Sequence, residues 1–136
     1  MTDKKNIQLL YLDDSPTHHH IVKQALTGSD IVYTGCYTSK EAKECLSENY
    51  YDVIVQDIIR PGDEMNGFMF SRWIRKFAPN EKQRQAPILI VSDLSEEELK
   101  RGSDTFKYNG YLNPTLIDKK LVSTICSLVL QKSNAS

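Results

Sequence analysis

Apolar residues along the chain gather into short runs of strand length, at 7–12, 31–36, 52–56 and 87–91, with a weaker run at 110–112. Each is followed by a stretch with helical features, so the pattern predicts five β-then-α units. Val53-Ile54-Val55 and Ile88-Leu89-Ile90-Val91 are apolar on consecutive positions. A strand covered on both faces requires this, whereas a half-exposed strand would alternate. The expected architecture is therefore α/β, a doubly wound five-stranded parallel sheet, (β/α)5, in three α/β/α layers.

Between the strands, local signals set the helix ends. Ser15 is a cap-type residue before Pro16, which the first turn tolerates, so helix one is predicted over 16–27, with Ile21 and Ala25 on its inner face and Gly28 as its stop. Ser39, Glu41, Ala42 and Leu46 mark helix two. Phe68, Trp73, Ile74 and Phe77 ahead of Pro79 mark helix three, with Trp73 and Phe77 read as core. Helix four, over 95–108, is expected to be short or mobile. It holds Glu96-Glu97-Glu98, read as a solvated face, and Gly102, with few apolar positions beyond Leu99 and Phe106. Helix five, over 116–130, carries an amphipathic stripe of Ile117, Leu121, Ile125 and Leu128, and the polar tail 131–136 is expected to fray.

Composition narrows the class. With 136 residues, 40% hydrophobic and 26% charged, the chain suits one packed domain over 1–136, its core about 6–130. A net charge of −1 with scattered Lys and Arg argues against nucleic acid or an anionic membrane as partner. No apolar run reaches the roughly 18 residues that span a bilayer. Cys36, Cys45 and Cys126 lack metal-type spacing and are odd in number, as expected of buried thiols in a reducing cytoplasm.

In a doubly wound sheet, ligands bind beyond the carboxyl ends of the strands. Here those ends are acidic: Asp13-Asp14 after strand one, Asp57 after strand three and Ser92-Asp93 after strand four. Carboxylates crowded in one pocket raise one another's pKa unless a cation neutralises them. Oxygen donors point to a hard divalent ion, and a site offering two or three of them suits Mg2+, which keeps several waters. Asp57 could then attack phosphorus as a carboxylate nucleophile, with Ser92 offering a hydroxyl to a phosphoryl oxygen.

Leu10-Tyr11-Leu12-Asp13-Asp14-Ser15-Pro16, Tyr51-Asp52-Val53-Ile54-Val55-Gln56-Asp57 with Pro61 beyond it, and Pro87-Ile88-Leu89-Ile90-Val91-Ser92 resemble the signature of the response regulator receiver domain, including its single-domain chemotaxis type. The resemblance spans about residues 6–130 and implies a flavodoxin-like fold. It implies that Asp57 is the phosphoacceptor and that Asp14, Asp57 and the backbone carbonyl of Ile59 ligate Mg2+, with Asp13 assisting through water. Ser92 and Tyr111 would be the switch residues. The partners implied are a sensor histidine kinase or histidine phosphotransfer protein upstream and an unidentified protein target downstream. Such a chain is a cytoplasmic two-component signalling switch acting in trans, and self-phosphorylation from a phosphohistidine donor is the only catalysis implied.

Two departures qualify that expectation. The family's lysine after strand five is replaced by Asn113, in a segment one residue shorter than usual, so the positive charge that meets the phosphoryl group is missing. The loop after strand three is about two residues longer than the family's and brings Arg60 near the pocket, where it would restore part of that charge. Loss of the lysine also motivates a second reading, an adapter that binds a partner without phosphorylation. A phosphatase of the haloacid dehalogenase type is disfavoured, because it needs an acid where Ile59 stands. A flavin binder is disfavoured because Asp13-Asp14 would repel its phosphate. His18-His19-His20 cannot all converge on one ion, since successive helical residues point about 100° apart. They read as exposed side chains, with His18 close enough to the acidic pocket to tune it.

Overall fold

The computed structural model describes residues 6–102 and 107–134. Strands β1 (Ile7–Leu12), β2 (Ile31–Cys36), β3 (Val53–Asp57), β4 (Ile88–Val91) and β5 (Gly110–Leu112) alternate with helices α1 (Pro16–Ala25), α2 (Ser39–Glu48), α3 (Gly67–Phe77), α4 (Glu96–Gly102) and α5 (Ile117–Asn134). Short 3-10 turns at Gln83–Gln85 and Pro114–Leu116 precede β4 and α5. All strands are parallel, in the order β2-β1-β3-β4-β5. This is the five-stranded, doubly wound sheet that the apolar runs predict.

Consecutive apolar residues in a strand point to opposite faces, and each face has its own core. Leu9, Val53, Val55, Leu89 and Val91 pack with Val22, Leu121, Ile125 and Leu128 under α1 and α5. Leu10, Leu12, Ile54, Ile88 and Ile90 pack with Ala42, Leu46, Phe70, Ile74 and Leu99 under α2, α3 and α4. The α5 stripe is buried at all four positions read from its spacing.

Capping follows the local sequence, with adjustments. Ser15 accepts a bond from the His18 N–H, with Pro16 in the first turn. Thr38, one residue before the expected start, caps α2 through the Glu41 N–H, and Asn66 caps α3 through that of Met69. α1 ends at Ala25, and Gly28 takes the left-handed conformation at φ 82° beyond it. The inner face of α1 is His19, Val22 and Leu26; Ile21 is exposed, because the stripe starts one turn earlier than its apolar residues alone suggest. Phe77 is also exposed, and Trp73 only half-buried, since Phe70, Ser71 and Ile74 form the face of α3 that meets the sheet.

α4 is described over Glu96–Gly102, and residues 103–106 of the predicted helix, Phe106 among them, lie outside the described residues. Its acidic run is more than a solvated face. Glu98 accepts from the Ser95 N–H at 3.0 Å while Ser95 Oγ accepts from the Glu98 N–H at 3.2 Å, a reciprocal capping box. α5 continues through Gln131 to Asn134, past the predicted end at 130, with no glycine or proline to interrupt it; 135–136 of the tail lie outside the described residues. Of the cysteines only Cys36 is buried; its Sγ lies 3.5 Å from that of half-buried Cys45, and Cys126 is exposed. Among the described residues, no helix is long and apolar enough to cross a membrane.

Candidate functional site

Strand register assembles the site. Leu12 pairs with Gln56, Asp57 with Val91 and Val91 with Leu112. The residues at or just beyond these pairs, Asp13, Asp57, Ser92 and Asn113, therefore meet at the carboxyl edge of the sheet.

Asp13 is buried, 1% exposed, and both of its oxygens are held. Oδ1 accepts from the Ser15 N–H at 2.9 Å, and Oδ2 accepts from the Tyr11 hydroxyl at 2.6 Å and lies 2.8 Å from His18 Nδ1. Burial pushes the Tyr11 hydroxyl pKa upward, reinforced by Asp13, so Tyr11 stays a donor. Asp57 is half-buried, with Oδ1 accepting from the Ile59 N–H at 3.3 Å. Burial first and Asp13 second raise its pKa, against the Ile59 N–H, His18 and Arg60, which lower it, to a net value of about 6.

Ligand atoms of Asp13, His18 and Asp57 all lie within 4.8 Å of one another. The sequence reading brings Asp14 and Asp57 together as direct ligands, with Asp13 behind a water. In the structure Asp13 shares the cluster with Asp57, and Asp14 is exposed outside it. Ile59 is 57% exposed beside Asp57. A cation fits this donor set, because burial and then the Asp13 carboxylate hold Asp57 above the usual carboxylate range, and an ion between the two would offset that penalty.

The remaining wall is polar and fixed. Buried Ser92 accepts from the Leu94 N–H at 3.1 Å through its hydroxyl. Half-buried Tyr111 donates its hydroxyl to the Leu94 carbonyl at 2.8 Å. Asn113 Oδ1 accepts from the N–H and hydroxyl of Thr115 at 3.0 and 2.7 Å, capping the turn before α5.

Arg60 is near Asp57 yet serves the loop. Buried to 3% exposure, it donates to Asp63 Oδ2 at 2.9 Å, to the Met65 carbonyl at 2.8 Å, to Gln56 Oε1 at 3.4 Å and to the Asp57 backbone carbonyl. Its effect on the Asp57 carboxylate is thus a field from behind the strand end. Burial alone would raise the Asp63 pKa, but hydrogen bonds from Ser39, Arg60 and Met65 outweigh it and hold that carboxyl below its ordinary value.

The histidine triplet divides. His20 is exposed, and His18 reaches Asp13 as expected. His19 is instead buried, with Nε2 2.7 Å from the Asp13 carbonyl oxygen and Nδ1 against the Tyr33 hydroxyl. Its ring stacks on Tyr37 at 4.1 Å and meets Tyr11 edge-on at 4.9 Å. Sequence reasoning misses His19 and Tyr11, although both had a signal. His19 stands three and seven residues before Val22 and Leu26, and Tyr11 stands two before Asp13 on one strand face.

Residues 9–125 match the family model of the response regulator receiver domain. No curated protein matches the chain. Among solved structures, a response regulator receiver domain from Francisella is 25% identical, with a TM-score of 0.78 over 93% of this chain and 99% of that one. The chemotaxis response regulator CheY4 of Vibrio cholerae is 22% identical, with a TM-score of 0.73 over 89% of this chain and 99% of its own. The receiver domain of a sensor histidine kinase from Pseudomonas aeruginosa is 18% identical, with a TM-score of 0.77 over 92% and 98%; its crystal structure carries a magnesium ion coordinated in the active-site cleft.

Proposed function

The chain belongs to the response regulator receiver domain family, and from that premise we propose that it is a phosphorylation switch whose acceptor is Asp57. The observation that carries this reading is the convergence of Asp13 and Asp57, with Asp57 raised by burial and by its acidic neighbour. Asp57 is half-exposed at a strand end, so a carboxylate oxygen can reach phosphorus on a phosphohistidine of a histidine kinase or phosphotransfer protein. An O–P bond forms as the N–P bond breaks, and the departing imidazole takes up a proton. Asp57 and the Ile59 carbonyl would hold Mg2+ together with Asp13 from the cluster and Asp14 beside it in the chain, and the ion when bound offsets charge on the transferring group. Ser92 offers its hydroxyl to a phosphoryl oxygen, and Tyr111 follows through the backbone of Leu94, which both residues contact. Output is then a change in protein contacts around α4, β5 and α5, and the chemistry is that of a signalling switch acting in the cytoplasm.

Asn113 favours one competing reading. Its oxygen is committed to Thr115 and it carries no charge, so the strand-five wall offers nothing equivalent to the family's lysine. On that ground the fold would serve as a phosphorylation-independent adapter. Intact-mass measurement after incubation with phosphoramidate and Mg2+ separates the two. A phosphate adduct on the wild type that disappears in Asp57→Asn supports the switch. No adduct, together with no response to beryllofluoride, supports the adapter.

A further inference from the structure

One donor in the acidic pocket is not an oxygen. We propose that His18 is a direct protein ligand of the metal site and shifts its preference from Mg2+ toward divalent transition ions of the manganese-to-zinc series. The inference rests on the reading of Asp13 and Asp57 as the metal-holding pair.

The ring is placed by the backbone, not by chance rotation of a surface side chain. Ser15 Oγ takes the His18 N–H at 3.2 Å and Pro16 fixes the first turn, so the third residue of α1 is held over the end of β1. Nδ1 then lies 2.8 Å from Asp13 Oδ2, while the His18 side chain remains 44% exposed and open to an entering ion. Asp13 is itself oriented by the Tyr11 hydroxyl and the Ser15 N–H, the kind of outer shell that fixes a ligating carboxylate.

The spacing fits. Donors on opposite sides of a transition ion, each about 2.1 Å away, stand about 4.2 Å apart. The cluster's outer limit of 4.8 Å therefore closes with a small side-chain adjustment. Binding exchanges the His18–Asp13 hydrogen bond for two bonds to a shared ion. Oxygen-only sites suit Mg2+, whereas an imidazole nitrogen adds affinity for manganese, cobalt and zinc and little for magnesium. If His18 only orients Asp13, its removal should weaken every ion by a similar factor.

Calorimetric titrations of the full chain with Mg2+, Mn2+ and Co2+ test this, comparing wild type with His18→Gln and His18→Ala after circular dichroism confirms folding. The expected result is a fall of about tenfold or more in the Co2+-to-Mg2+ affinity ratio in both variants. Nitrogen coupling in the Mn2+ paramagnetic resonance spectrum should also be lost. A ratio unchanged by either substitution overturns the proposal; if labelling of Asp57 by phosphoramidate nevertheless drops, His18 faces the phosphoryl group instead. Asp57→Asn separates the levels of argument. Mg2+ binding that depends on Asp57 while the ratio ignores His18 defeats this inference alone. No divalent ion binding to the wild type defeats the metal reading of the site as well.

Discussion

Asp57 must stay reactive while standing half-buried beside a second carboxylate. Its pKa, raised to about 6 first by burial and then by Asp13, makes that conflict measurable. A carboxyl with a raised folded-state pKa binds its proton more tightly folded than unfolded. Metal-free protein is therefore penalised as pH climbs from about 4 through 6, and the penalty is constant above. At a half-buried group, solvent screening reduces it to about 1 to 2 kcal/mol. Asp57→Asn removes the titration. Metal-free Asp57→Asn should match wild type in Tm near pH 4 and exceed it by about 3 to 8 °C above pH 7. Thermal melts in chelator across that range check this, and a difference independent of pH would show that Asp57 is not held in this environment.

The loop from Asp57 to Gly67 shows how an element makes a site rigid, and where the sequence was and was not legible. Arg60 reads as a charge for the pocket, and its positive field does act to lower the Asp57 pKa, but a sequence displays charges and not the backbone carbonyls a loop must satisfy. The guanidinium answers that demand at the Asp57 and Met65 carbonyls and pairs with the Asp63 carboxylate. Arg60→Ala should cost about 3 kcal/mol by chemical denaturation, because it leaves Asp63 and two carbonyls short of partners. Asp57 labelling at a temperature where the variant is folded should fall only modestly; a large stability-independent loss would restore Arg60 to the pocket. Gly67 closes the same loop. A Cβ there would lie 2.6 Å from Ile58 Cδ1 and 2.7 Å from Ile58 Cα, so backbone next to Asp57 must shift. Gly67→Ala should lower stability by about 1 to 3 kcal/mol and slow labelling in step, read by denaturation and intact mass. β3 and β4 were legible because two-sided burial leaves unbroken apolar runs. The ends of those strands announced Asp13, Asp57 and Ser92. The choice between Asp13 and Asp14 depends on how the chain turns after Leu12, and the burial of His19 on a face whose first member is polar; neither is written in hydrophobicity.

At the scale of the whole molecule the centre of the sheet is better secured than its β5 edge. β1 is flanked by β2 and β3, and its residues Leu9 to Leu12 are fully buried. β5 is a three-residue edge strand paired with β4 alone, and among the described residues of α4 only Leu99 is buried. Segments with few buried contacts open locally at a fraction of the global unfolding free energy. That edge also reaches the site, through Ser92 to Leu94 and Tyr111 to Leu94. A phosphoryl group drawing on Ser92 would therefore act where the fold resists least, which is what a two-state element requires. Hydrogen exchange should show the described amides of α4 and β5 exchanging at least about 100-fold faster than those of β1, a gap of about 2.7 kcal/mol. Tyr111→Phe, which deletes the tie to Leu94, should speed exchange in α4 and β5 without altering β1. Addition of beryllofluoride with Mg2+ should slow it there. Uniform exchange across the sheet, or protection by beryllofluoride confined to β1 and β3, would mean that the α4 and β5 region does not carry the signal.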